Sequence, residues 1–134
     1  MVTLKHFFRP AITVQYPVKK IELSPRVRGR HGLRVNPEGD DLCIGCKACA
    51  KICPDRLITV ETSKAPEGSG KKLCIDKMTI NLEACMFCGL CVDACPTNAL
   101  VMTKFYEMAG QNREDIFLTK EKLLESGKGY ELPE

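Results

Sequence analysis

The sequence predicts an α+β domain whose body is a repeated ββ-helix unit with pseudo-two-fold symmetry, held between extended N- and C-terminal arms. Three observations predict it. Eight of the nine cysteines form two copies of one pattern, CIGCKACAKICP at Cys43, Cys46, Cys49 and Cys53 and CMFCGLCVDACP at Cys85, Cys88, Cys91 and Cys95. The copies repeat with a period of 42 residues, and each is followed by a short apolar run, Leu57 to Val60 and Ala99 to Met102. Outside the repeat the chain is broken by prolines or lacks a sustained period.

Residues 1–41 read as a basic arm. Pro10, Pro17, Pro25 and Pro37 interrupt it, so no long helix is sustained. Its apolar residues, among them Ile12, Val14, Tyr16, Val18 and Ile21, need cover that a partner surface would supply. Phe7 and Phe8 beside Lys5 and Arg9 suit the end of an interfacial helix, or else pack on their own domain. Residues 42–102 form the body. Short helices are expected between the third and fourth cysteines of each copy, near 48–52 and 90–94. A strand at 57–62 should pair as a hairpin with one in 73–80 across the polar Gly/Pro loop 63–71. Gly68, Ser69 and Gly70 in that loop make no phosphate loop, because no Lys-Ser/Thr follows. Residues 103–134 read as a second arm: surface-hugging coil over 104–117, then one short helix at 119–127. Thr119 is its N-cap and Gly127 its stop.

The spacing C-x2-C-x2-C-x3-C-P is a ligand set for a [4Fe–4S] cluster, and two copies imply two clusters in a ferredoxin-like two-cluster fold. Two residues between cysteines let one loop wrap a cube. The proline after the fourth cysteine removes a donor and fixes the chain's direction. In two-cluster ferredoxins the fourth cysteine serves the other cluster. Cys43, Cys46, Cys49 and Cys95 are therefore expected on cluster one, and Cys85, Cys88, Cys91 and Cys53 on cluster two. A zinc ribbon does not call for the third cysteine or for the fourth before proline, let alone twice. A disulfide framework would need a secreted chain, and no signal peptide is visible. Covalent haem needs C-x2-C-H, which is absent. Cys74, in KLCIDKMTI, has no companion at ligand spacing and reads as a small hydrophobe on a strand.

A body of this size is too short for a large apolar core and is expected to lean on metal cross-links. The formal charge is +3 with cysteine counted neutral. Each oxidised cluster with four thiolates adds about −2, leaving the loaded chain near roughly −1. Residues 1–34 hold Lys5, Arg9, Lys19, Lys20, Arg26, Arg28, Arg30 and Arg34 against Glu22, leaving twelve basic and sixteen acidic residues of the chain's 20 and 17. Such an arm suits an acidic partner or an anionic surface. Without an array of base-stacking aromatics, nucleic acid is not expected. No run of 18 apolar residues is present to span a membrane.

Among the ligands, Ile44, Met86, Phe87, Leu90 and Val92 are expected to shield the cubes. Gly45, Ala48, Ala50, Gly89 and Ala94 leave room for backbone to approach. Lys47 and Lys51 sit in the first motif where the second has Gly89 and Asp93. Placed close, they would give cluster one the higher potential; placed in water, they would do little. His6 and His31 have no ligand set around them and read as surface or partner-contact residues. There is no catalytic constellation and no dinucleotide fingerprint, so no direct small-molecule substrate is expected.

Four stretches are more specific than the cysteines: TVQYP (13–17), PRVRGRHGLRVNPEGDDLCIGC (25–46), MFCGLCVDACPTNALVMT (86–103) and FYEMAGQNREDIFLTKEKLL (105–124). With them, nearly the whole chain resembles the two-cluster ferredoxin-like subunit of respiratory complex I (NADH:quinone oxidoreductase) and its relatives in membrane-bound hydrogenases. The resemblance implies a relay of two [4Fe–4S] clusters passing electrons toward a terminal cluster in a neighbouring subunit and on to quinone. It implies a peripheral place on the cytoplasmic side of the cell membrane, among the other subunits of a multisubunit complex. Arg26, Arg28, Gly29 and Arg30 would lie near the membrane-proximal subunits. The family's N-terminal amphipathic helix is almost missing and the C-terminal region stops early, so attachment through neighbours rather than lipid is expected. Alternatives are the electron-input subunit of a ferredoxin-fed hydrogenase and a free two-cluster ferredoxin, whose carrier role would not need two long arms. A nucleic-acid enzyme with structural clusters would need a catalytic motif that this sequence lacks.

Overall fold

The computed structural model describes residues 1–36, 39–65 and 72–130. Pro37 and most of the loop expected at 63–71 lie outside the described residues. The strongest element is the hairpin of β2 (Ile58–Lys64) and β3 (Leu73–Asn81), close to the expected positions. Ile58 and Val60 point inward while Thr59 and Glu61 face out, the period-two pattern of a half-buried strand. The register runs Ile58 to Ile80 and Val60 to Met78, then shifts between Glu61 and Thr62 so that Thr62 faces Ile75. Asp76 and Lys77, two successive exposed residues between buried Ile75 and Met78, mark that bulge in the sequence. Cys74 sits half-buried on β3 opposite Ser63.

Two short helices, α2 (Ala48–Ile52) and α3 (Leu90–Asp93), bridge the third and fourth cysteines of the two motifs, as the spacing predicts. Each is entered through a left-handed residue, Lys47 (φ 59°) and Gly89 (φ 85°). The other left-handed residues around the motifs are paired in the same way. Gly45 (φ 67°) corresponds to Phe87 (φ 53°), and Arg56 (φ 53°) to Asn98 (φ 50°), all with the 42-residue period. The repeated turns therefore use one backbone path with different side chains. At Phe87 that path costs a bulky residue of order 1 kcal/mol or more of backbone strain.

Both flanks supply walls to the body. β1 (His31–Leu33), from the basic arm, pairs antiparallel with β4 (Leu100–Met102), His31 facing Met102 and Leu33 facing Leu100. The pairing continues through Gly29 N–H to the Thr103 carbonyl (2.9 Å) and Arg30 N–H to the Phe105 carbonyl (2.8 Å). Arg30 lays its guanidinium over the Phe105 ring, 4.5 Å from the centroid.

The coil expected over 104–117 is replaced toward its end by a 3₁₀ turn at Arg113–Ile116 and by β5 (Phe117–Thr119). β5 lines up on β3, Leu118 facing Ile80, and completes a three-stranded sheet in the order β2-β3-β5. The segment has no helical period because it is too short to show one, and its pairing is with residues far away in sequence. α4 (Lys120–Gly127) follows, with Leu123 fully buried and Gly127 pressed on β1. A Cβ on Gly32 would stand 2.7 Å from the Gly127 nitrogen, and one on Gly127 would enter the Leu33 carbonyl. Two glycines thus let helix and strand backbones touch. Leu33, Met78, Ile80, Leu100, Leu118 and Leu123 form the centre of the core, between the two sheets and α4.

The first 27 residues are different. They carry α1 (Val2–Phe7), none of whose residues is buried, and turns whose apolar side chains face outward. Phe7 and Phe8 are 80% and 77% exposed, so they do not pack on their own domain. The stretch is pinned through Glu107, which accepts from the Tyr16 hydroxyl (2.6 Å) and pairs with the Lys20 ammonium (2.8 Å).

Candidate iron–sulfur centres

Two hollows open beside α2 and α3, and cysteines line both. The first is lined by Cys43, Cys46, Cys49 and Cys95, with Ile44, Val60, Met78 and Leu100 among its apolar walls. The second is lined by Cys53, Cys85, Cys88 and Cys91, with Ile58, Ile80 and Leu90. Each takes three cysteines from one motif and the fourth from the other. The thiols stand around a space rather than meeting at a point. Among the described residues no group of three or more His, Cys, Asp or Glu side chains converges as a single metal ion would need. A tetrahedral zinc site brings four sulfurs within about 2.3 Å of one centre. The donor set, its spacing and its apolar walls fit a [4Fe–4S] cluster in each hollow.

Burial raises four of the thiols. Cys49 is pushed up to about 11 and Cys91 to about 12, both first by desolvation; Cys43 and Cys85 are raised for the same reason. Backbone N–H groups oppose the rise: Gly45 toward Cys43, Ala50 toward Cys49 and Phe87 toward Cys85. Cys95 is the exception. Burial alone would raise it, but the Leu100 N–H, the Thr97 hydroxyl and further N–H groups of Thr97 and Ala99 bring it below the ordinary thiol value. Cys53 accepts from the Leu57 N–H at 3.5 Å. Thiolate ligands in such surroundings shed protons when metal binds, and the N–H groups then point at negative sulfur.

Of the residues expected to shield the cubes, Ile44 and Leu90 do line the hollows, and Val92 packs on the core. Met86 does not; it is 65% exposed. Lys47 touches the rim of the first hollow and Lys51 points away, and both are exposed to water. Solvent and salt screen such charges. Lys51→Ala is accordingly expected to leave both cluster midpoints unmoved in a redox titration.

His31 corrects the sequence reading most clearly. Expected at the surface, it is buried to 1% exposure on β1. Its Nε2 lies 3.5 Å from Cys91 Sγ, and its ring stacks on Phe87 with centroids 5.9 Å apart. Desolvation by burial lowers its pKa to about 4. Two arginines of the same segment are also spoken for within the chain. Arg28 Nη1 donates to the Cys88 carbonyl, and Arg34 Nη1 to the Asn98 carbonyl at 2.7 Å. These contacts join residues about 60 apart, and no local spacing announces them. His6, by contrast, stays exposed on α1, its Nδ1 3.4 Å from Arg9.

Comparison with known proteins agrees with this geometry. Residues 42–99 match the 4Fe-4S dicluster domain family. NADH-quinone oxidoreductase subunit I 2 of Geobacter metallireducens is 41% identical over 124 residues, 92% of each chain. The protein of the same description from Symbiobacterium thermophilum is 40% identical over 92% of this chain, which spans about half (51%) of its length. Among solved structures, a chain of the membrane-bound sulfane sulfur reductase, an archaeal respiratory membrane complex, superposes with a TM-score of 0.60 at 33% identity, over 86% of this chain and 56% of that one.

Proposed function

This chain belongs to the NADH-quinone oxidoreductase subunit I family, and from that premise we propose that it is the fixed two-cluster electron relay of a complex I-type membrane-associated oxidoreductase. It holds two [4Fe–4S] clusters. The observation that carries the relay reading is the pair of hollows, each lined by four cysteines. Those rings support the crossed ligand assignment. Cys43, Cys46, Cys49 and Cys95 hold cluster one, and Cys85, Cys88, Cys91 and Cys53 hold cluster two. When bound, each cluster supplies a one-electron redox centre. The chain's own residues position the thiolates, exclude water with Ile58, Val60, Met78, Ile80 and Leu100, and aim N–H groups at sulfur.

The three pairs of left-handed residues with the cysteine period support pseudo-two-fold symmetry of the body. The cluster domain spans 42–102, flanked by 1–41 and 103–134, with β1, β5 and α4 lent to its core. The outward apolar side chains of the first 27 residues support an arm that docks on neighbouring subunits. Among the described residues no helix is long and apolar enough to cross a membrane. The place assigned is peripheral, on the cytoplasmic side, with electrons leaving for a terminal cluster and quinone and with no nucleic acid or substrate bound directly.

Native purification of the tagged full chain tests this. Recovery with a flavoprotein and quinone-reacting membrane subunits is the expected result. A nickel-site subunit in their place would assign the chain to a hydrogenase, and recovery as a lone two-cluster protein would make it a free carrier.

A further inference from the structure

We propose that His31 is a positioning residue for electron flow, whose Nε2–H donates to Cys91 Sγ and selectively favours the reduced state of cluster two. The inference rests on the cluster reading above and adds a residue outside both cysteine motifs. The ring is buried, stacked on Phe87 and 3.5 Å from the sulfur, so its orientation is held from two sides. The tautomer follows from what surrounds the other nitrogen. Nδ1 is buried with no hydrogen-bond partner among the described residues. A proton there would bury an unpaired N–H and turn the Nε2 lone pair toward sulfur. A proton on Nε2 leaves only an acceptor bare, the cheaper fault.

A donor to a ligand sulfur stabilises negative charge, and the reduced cluster with its thiolates carries one electron more than the oxidised one. The bond therefore raises the midpoint of the cluster it touches. Its effect is one-sided. The residue corresponding to Cys91 in the first motif is Cys49, whose opposing hydrogen bond comes from the Ala50 backbone. The chain's second histidine, His6, lies in α1. Cluster one is thus an internal control.

The test is an EPR-monitored redox titration of the reconstituted full chain, with dithionite as reductant and the signals assigned through the Cys53→Ala variant. In His31→Met the reduction constant of cluster two should fall about tenfold, a midpoint lower by about 59 mV for one electron, while cluster one stays put. His31→Gln, whose amide N–H reaches toward the same sulfur, should recover most of the shift. An unmoved cluster two in His31→Met, a Gln variant no better than Met, or equal shifts of both clusters would overturn the proposal. Should His31→Met fail to fold, wild type labelled with 15N-histidine decides. Pulsed EPR is expected to show a histidine nitrogen coupled to cluster two, and its absence overturns the proposal. A wild-type chain that takes up no cluster would sink the relay reading as well; two clusters with unmoved midpoints would remove this inference alone.

Discussion

Cys53→Ala is expected to abolish cluster two and spare cluster one, although Cys53 stands in the first motif; Cys95→Ala is expected to do the reverse. The reason is the placement of the fourth cysteines. Cys53 follows α2 and lines the second hollow beside Cys85, Cys88 and Cys91, while Cys95 follows α3 and lines the first beside Cys43, Cys46 and Cys49. Alanine removes a ligand that no nearby group replaces. Cys74, the ninth cysteine, lines neither hollow and sits on β3 opposite Ser63. Iron content should drop from about eight to about four atoms per chain in either variant, with one of two EPR signals lost. Loss of the same signal in Cys53→Ala as in Cys43→Ala would show instead that each motif binds its own cube. Cys74→Ala should leave both signals in place.

Gly127→Ala is expected to destabilise the loaded protein by about 3 kcal/mol, at the upper end of what overpacking a tight site costs. The added methyl group would enter the carbonyl of Leu33, and that carbonyl belongs to a strand hydrogen-bonded on its other edge to β4. Neither backbone has room to retreat. Differential scanning calorimetry on the holo-protein should show a lower Tm. Protease should then reach α4, whose Leu123 is otherwise sealed. Glu125→Ala, on the exposed side of the same helix, should change stability by less than about 0.5 kcal/mol. An unchanged Tm in Gly127→Ala would mean that the close helix–strand contact is not made.

How far the sequence could be read depended on the separation of the interacting residues. The two short helices, the hairpin and the repeat were visible because each is set by spacing within one stretch of chain: cysteines at fixed intervals, apolar-rich runs at 57–60 and 73–80 on either side of a polar loop, a proline after each fourth cysteine. Thr119 and Gly127 bounded α4 for local reasons, yet Gly127 matters more as the point where α4 meets β1. β5 went unseen because Phe117–Thr119 is three residues long and its partner is β3. His31 was assigned to the surface because the residue that buries it, Cys91, is 60 positions away. The arginines of 28–34 looked available for partners as a charge run does, until their carbonyl acceptors at Cys88 and Asn98 were in place.

The crossing of the chain has a consequence for how the protein is made. β1 emerges from the ribosome early, yet its edge is completed by Leu100–Met102 and its face by α4, which end the described core. The first motif is likewise synthesised well before Cys95, which closes its ring. A growing chain that has reached residue 84 owns three-quarters of one metal pocket and a single wall of the next. Its sulfurs then stand open to oxygen and to stray metal. Non-local closure of this kind is slow as well as late. The first ring is therefore complete only once Cys95 has been made and brought beside Cys43, Cys46 and Cys49.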